Sequence, residues 1–91
     1  MLEKEIESKV VKWARAHNIL ARKMNGAGSV GWPDRLFVYP SGLHVYIEFK
    51  SPTGKVTENQ RRMINELIDR HVTVSVVNSS DIGISFLQQF L

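Results

Sequence analysis

An α/β sandwich on a mixed sheet is the fold predicted for this chain of 91 residues. Three observations predict it: two stretches carry apolar residues at three- and four-residue steps, three of four short strand-like stretches are rich in β-branched or aromatic residues, and with a capped last stretch they run as helix, three strands, helix, strand, helix. A chain this short can bury only one modest hydrophobic core, so residues 1–91 are expected to form a single domain.

The first helix is expected from Glu3 to His17, because Ile6, Val10, Trp13, Ala14 and His17 fall along one stripe, with Glu7 beside it. Asn18 can end that helix in a left-handed conformation. Ile19 to Met24 then forms a first short strand. From Asn25 to Gly31 the chain is a loop, in which Gly26, Gly28 and Gly31 give the backbone freedom to move or to approach a ligand closely. Asp34 to Tyr39 and Leu43 to Lys50 are the strands of a hairpin turned by Pro40-Ser41-Gly42. Side chains alternate along a strand, so Val45, Ile47 and Phe49 share one face and Tyr46, Glu48 and Lys50 the other. Thr57-Glu58-Asn59-Gln60 has the form of a capping box, which starts a helix running to about Arg70. Its inward stripe is expected to be Gln60, Met63, Ile64, Leu67, Ile68 and His71. Val72 to Val77 is a β-branched run suited to a buried strand, and Ser80-Asp81 can cap a last short helix, Ile82 to Phe90.

Composition excludes several classes. A hydrophobic share of 43% with 23% charged residues is that of a folded chain, not a disordered tail. There is no cysteine, which rules out a disulfide framework and a thiolate zinc site and points to an intracellular, cytoplasmic protein. The N-terminus alternates charged and apolar residues, so neither a signal peptide nor a membrane span is expected there. A net charge of +3 suits a polyanionic partner but is also common in proteins that bind none.

The residues that carry chemistry are Pro33-Asp34 and, after thirteen intervening residues, Glu48-Phe49-Lys50. The hairpin brings the two acids together. Clustered carboxylates repel each other unless a cation sits between them, and hard oxygen ligands suit Mg²⁺ or Mn²⁺. A bound ion activates water and neutralises charge on a phosphate, while Lys50, on the face of Glu48, orients that water or stabilises the transition state. Phosphodiester hydrolysis needs these parts.

With these residues the sequence resembles the nuclease superfamily named for its Pro-Asp, Asp/Glu-x-Lys motif and, within it, the VRR-NUC family of small nuclease domains. Gly31-Trp32-Pro33-Asp34 resembles the family's Gly-x-Pro-Asp, Ile47-Glu48-Phe49-Lys50 its Glu-x-Lys strand, and Lys55 to Gln60 its loop-to-helix segment ending in glutamine. Glu7 resembles the acid on the first helix of such nucleases. The resemblance implies a restriction-endonuclease-like αβββαβ core, with a central mixed sheet flanked by helices and a short C-terminal helix. It implies catalysis by Asp34, Glu48 and Lys50 with Glu7 and Gln60 in support. Mg²⁺ or Mn²⁺ would be held by Asp34, Glu48, the Phe49 carbonyl and Glu7. Stand-alone members of this length resemble junction-resolving homodimers, which implies DNA, branched as in a four-way junction, as the substrate. The glycine-rich loop and Pro52 depart from relatives with bulkier inserts and bear on how substrate approaches.

Plainer roles stand beside these. The capping box accounts for Gln60 without a site role. Glu3, one turn before Glu7 on the same side, competes with it for the helix position. His17, His44 and His71 lack ligand spacing and are not assigned to metal. Trp32 either packs on the hairpin or stacks on a splayed base. Among Lys9, Lys12, Arg15, Arg22, Lys23, Lys55, Arg61 and Arg62, the cations assigned to nucleic acid are Lys23, Lys55 and Arg61. A solvated face explains each equally well, and clustering around the carboxylates would favour DNA. The alternatives to an endonuclease are a catalytically silent nucleic-acid-binding module of the same fold and a protein-interaction domain.

Overall fold

Helix α1 (Glu3–Ala16) turns Ile6, Val10, Val11 and Ala14 inward, the three- and four-residue spacing that an amphipathic helix needs. This computed structural model describes residues 1–24, 26, 28 and 30–91; Asn25, Ala27 and Ser29 of the expected loop lie outside the described residues. The helix is started by Glu5, whose carboxylate accepts a 3.0 Å hydrogen bond from the Leu2 N–H. It is stopped by Asn18, at φ 61°, after which the Ile19 N–H donates back to the Ala14 carbonyl. His17 does not join the buried stripe as expected. It is exposed where the helix unwinds, and its ring stacks on Trp13 with centroids 4.0 Å apart.

Strands β1 (Leu20–Lys23), β2 (Arg35–Val38), β3 (His44–Phe49) and β4 (Thr73–Val77) form one sheet in the order β1-β2-β3-β4. The first three run antiparallel, with Arg35 opposite Ile47 and Lys23 opposite Arg35, while β4 runs parallel to β3 with Val76 opposite Glu48. The sheet is therefore mixed, as the order of elements predicts. Helix α2 (Glu58–Asp69) supplies the crossover between β3 and β4, and α3 (Ser80–Gln88) follows β4. Among the described residues no helix is long and apolar enough to cross a membrane.

The core lies on one face of the sheet, where Val45, Ile47, Phe49, Phe37 and Val77 meet Ile6, Val10 and Ala14 of α1 and Leu87 of α3. Removing each such side chain from water contributes on the order of 2 kcal/mol. Tyr39 ties β2 to α3: its hydroxyl donates to the Leu87 carbonyl at 2.7 Å, and burial pushes its pKa up to about 12. Gly83 lets α3 approach, since a Cβ there would stand 2.7 Å from Val10 Cγ2.

Three expectations are corrected. In α2 only Ile64 and Leu67 are buried, and Ile68 is 50% exposed. His71 is exposed at φ 65° because the helix has ended and the chain turns through the left-handed region there. β4 lies at the sheet edge, with Val76 44% exposed, so it is only half-covered. The cap of α3 is Ser79, whose hydroxyl accepts from the Ile82 N–H at 3.2 Å.

Candidate active site

The end of the hairpin places the acids. Extending the β2–β3 register by two residues sets Pro33 opposite Phe49, and a proline has no N–H to give the ladder. Asp34 takes over there: its Oδ2 accepts the Phe49 N–H at 2.8 Å, while its own carbonyl accepts from the Met24 N–H at 2.8 Å. On a strand, the N–H and C=O of one residue point to the same side. The Phe49 carbonyl therefore faces the β2 side, where Pro33 returns no donor. Lys50 is anchored on the opposite side, its N–H donating to the Val77 carbonyl at 2.8 Å. These backbone bonds fix Asp34, Glu48 and Lys50 at one end of the sheet.

Glu48 is 1% exposed, and neither of its carboxylate oxygens has a hydrogen-bond partner among the described residues. The Lys50 ammonium lies 3.2 Å from Glu48 Oε2, an ion contact outside hydrogen-bond geometry. Burial first, and then the charge of Asp34, raises the Glu48 pKa from 4.5 to about 7 against the lowering effect of Lys50. Asp34 is raised as well, by burial first, with the Phe49 N–H opposing and the charge of Glu7 adding. A buried carboxylate without donors is costly unless it takes a proton or a cation.

That observation tests whether a divalent ion suits the place. Two adjacent acids with raised pKa values, together with a buried Glu48 whose Oε1 has no partner among the described residues and whose Oε2 has only the Lys50 ammonium, make a hard-oxygen donor set. Among the described residues no three acid, histidine or cysteine side chains form such a group. The Glu7 carboxylate is engaged by Arg35, Oε2 to Nε at 2.6 Å, with both side chains 16% exposed. Glu7 nonetheless acts on Asp34 through its charge, and Glu3 acts likewise on Glu48. The two helix acids thus border the pair from successive turns.

Gln60 is elsewhere. Its Oε1 accepts the Thr57 N–H at 2.9 Å and its N–H donates to Thr57 Oγ1 at 3.2 Å, closing the capping box; no hydrogen bond to Asp34 or Glu48 occurs among the described residues. Arg61 is paired with Glu58 at 2.6 Å on the exposed side of α2. Trp32 packs toward the hairpin, its ring 5.9 Å from that of Tyr46. The sequence reading missed Arg35. A half-buried arginine directly after Asp34 demands an acid partner, and that demand is the signal that could have found it.

Comparisons with known proteins bear on the family and the fold. The profile of the VRR-NUC domain matches residues 1–81, a span that includes Glu7, Asp34, Glu48, Lys50 and Gln60. The protein called "Putative nuclease p44", from Acyrthosiphon pisum secondary endosymbiont phage 1, is 34% identical over 81 residues, covering 89% of this chain and 87% of that one. A solved structure described as a VRR_NUC domain matches 98% of this chain and 97% of its own with a TM-score of 0.86, at 24% identity, and so speaks for the fold alone. A Pro-Asp strand start, a buried Glu-x-Lys strand beside it and a profile match through the first residues of α3 converge on one assignment: the chain belongs to the VRR-NUC family of nuclease domains.

Proposed function

We propose that the protein is a divalent-metal-dependent endonuclease that hydrolyses phosphodiester bonds in DNA, selective for branched forms such as four-way junctions and active as an intracellular homodimer. The observation that carries the chemistry is Glu48, buried without donors for either oxygen beside Asp34 and Lys50. Asp34, Glu48 and the Phe49 carbonyl would hold Mg²⁺ or Mn²⁺, with Glu7 adding negative charge from its place beside Arg35. The ion, when bound, polarises the phosphate and lowers the pKa of water. Lys50 keeps its ammonium on the face of Glu48, where it orients the attacking water and opposes charge on the phosphate oxygens. Asp34 is already oriented by the Phe49 N–H, which donates to its Oδ2 at 2.8 Å. Gln60 fixes the start of α2 through its capping box, Lys23 and Lys55 meet phosphates, and Arg61, expected among them, is engaged by Glu58. A homodimer suits a molecule of 32 × 31 × 24 Å, because cutting two strands symmetrically requires two sites.

The test compares cleavage of a four-way DNA junction and a matched linear duplex with Mg²⁺, Mn²⁺ or EDTA. Metal-dependent cutting by the wild type is expected, with rates reduced at least about 100-fold in Asp34→Ala and Lys50→Ala, and preference for the junction marks the resolving dimer. Salt-sensitive binding without cutting would leave a silent binding module instead.

A further inference from the structure

The basic charge of the chain is unevenly placed. A groove of about 370 Å³ lies between α1 and the β1–β2 strands, lined by Lys4, Lys12 and Arg15 of α1, Lys23 of β1 and Arg35 of β2, with Glu7 its single acid. Five cations against one acid leave a surplus of four, more than the +3 of the whole chain, so the rest of the molecule is net negative. Cations on the opposite flank are neutralised, Arg61 by Glu58 and Arg70 by Glu66. Lys4, Lys12, Arg15 and Lys23 form no ion pair among the described residues. Arg15 instead donates to the Ala21 carbonyl at 3.4 Å, which holds its guanidinium over the strand.

Asp34 and Glu48 do not line the groove, but Glu7 does, and its charge raises Asp34. Arg35, the partner of Glu7, follows Asp34 at the start of β2 and turns to the α1 face, so the groove reaches the acids around the end of the sheet. From Lys4 to Arg15 a helix extends about 16 Å, a length over which one duplex strand presents about four or five phosphates. We propose that this groove is the track for one phosphodiester strand of the substrate, which enters along α1 and leads the scissile phosphate to Asp34 and Glu48. The inference rests on the nuclease reading and gives it a direction of approach: α1 and β1 carry the strand.

The test is fluorescence anisotropy of a labelled four-way DNA junction in EDTA, where cutting is off, at a series of KCl concentrations. Lys12 and Lys23 are exposed, so Lys12→Ala/Lys23→Ala folds as the wild type by circular dichroism. Its plot of log affinity against log salt should be shallower by about 2, since each lost phosphate contact removes about 0.9. In cleavage with Mn²⁺, KM should rise while kcat at saturation holds. The charge-matched Arg62→Ala/Arg70→Ala should keep the wild-type slope. An unchanged slope in the Lys12/Lys23 variant, or an equal loss in the Arg62/Arg70 variant, overturns the groove while the nuclease stands. No binding by the wild type at low salt overturns the groove, and the nuclease falls with it only if cleavage with Mn²⁺ also fails.

Discussion

At the scale of the residue, Glu48 is the side chain whose state decides the others. Its pKa rises from 4.5 to about 7, so between those values the native protein keeps a proton that the unfolded chain has released. Stability from this group is therefore complete below the unfolded value and falls as pH rises through the folded one, by about 3 kcal/mol in total. Glu48→Gln removes the titration and keeps the shape. In EDTA, the stability difference between wild type and variant should shift against the wild type by about that amount from roughly pH 4 to pH 8. Urea titrations across the range check it, and a constant difference would mean that Glu48 stays ionised in a wetter setting. Asp34, Glu48 and Lys50 could be read from the sequence because their spacing on a hairpin puts them together whatever surrounds them. The Glu7–Arg35 pair could not, since its partners are 28 residues apart and only the packing of α1 over the sheet makes them neighbours.

At the scale of the element, helices and strands were legible where periodicity was strong. What periodicity could not show was which strand would lie at the edge, because a β-branched run looks the same with one neighbour or two. Among the described residues β4 is paired only with β3, and α2 covers it in part, which is why Val76 and Ile68 face outward. The role of Gly31 was also hidden. The loop was expected to need glycine for mobility or ligand approach, whereas Gly31 sits at φ 81° with its Cα against α2: a Cβ would stand 2.9 Å from the Asn59 carbonyl oxygen. Asn59 belongs to the first turn of α2, so this contact sets where Trp32, Pro33 and Asp34 begin. Gly31→Ala should cost about 1–3 kcal/mol from backbone strain and the clash. It should also weaken Mn²⁺ binding by moving Asp34. A urea midpoint equal to wild type would show that the loop adjusts without disturbing α2.

At the scale of the whole molecule, the site and the stability of the fold are linked. A domain with one core has a small margin, and here part of that margin is spent on burying Glu48 beside Asp34 at neutral pH. A divalent ion bound between them replaces the missing donors and stabilises only the native state. At about 100 times its Kd the ion adds about 2.7 kcal/mol, which in a chain of this size raises Tm by roughly 10–20 °C. Protons compete for the same oxygens, so the rise should be large above the Glu48 pKa of about 7 and fade below it. Thermal melts of the wild type with Mn²⁺ at pH values on both sides of 7 measure the effect, with Asp34→Ala and Glu48→Gln as the variants that should lose it. A Tm that rises equally in those variants would place the ion elsewhere on the protein. A rise that persists unchanged at acid pH would mean that the ligands do not include a carboxylate that holds a proton near neutrality, and Glu48 would then be a buried structural acid.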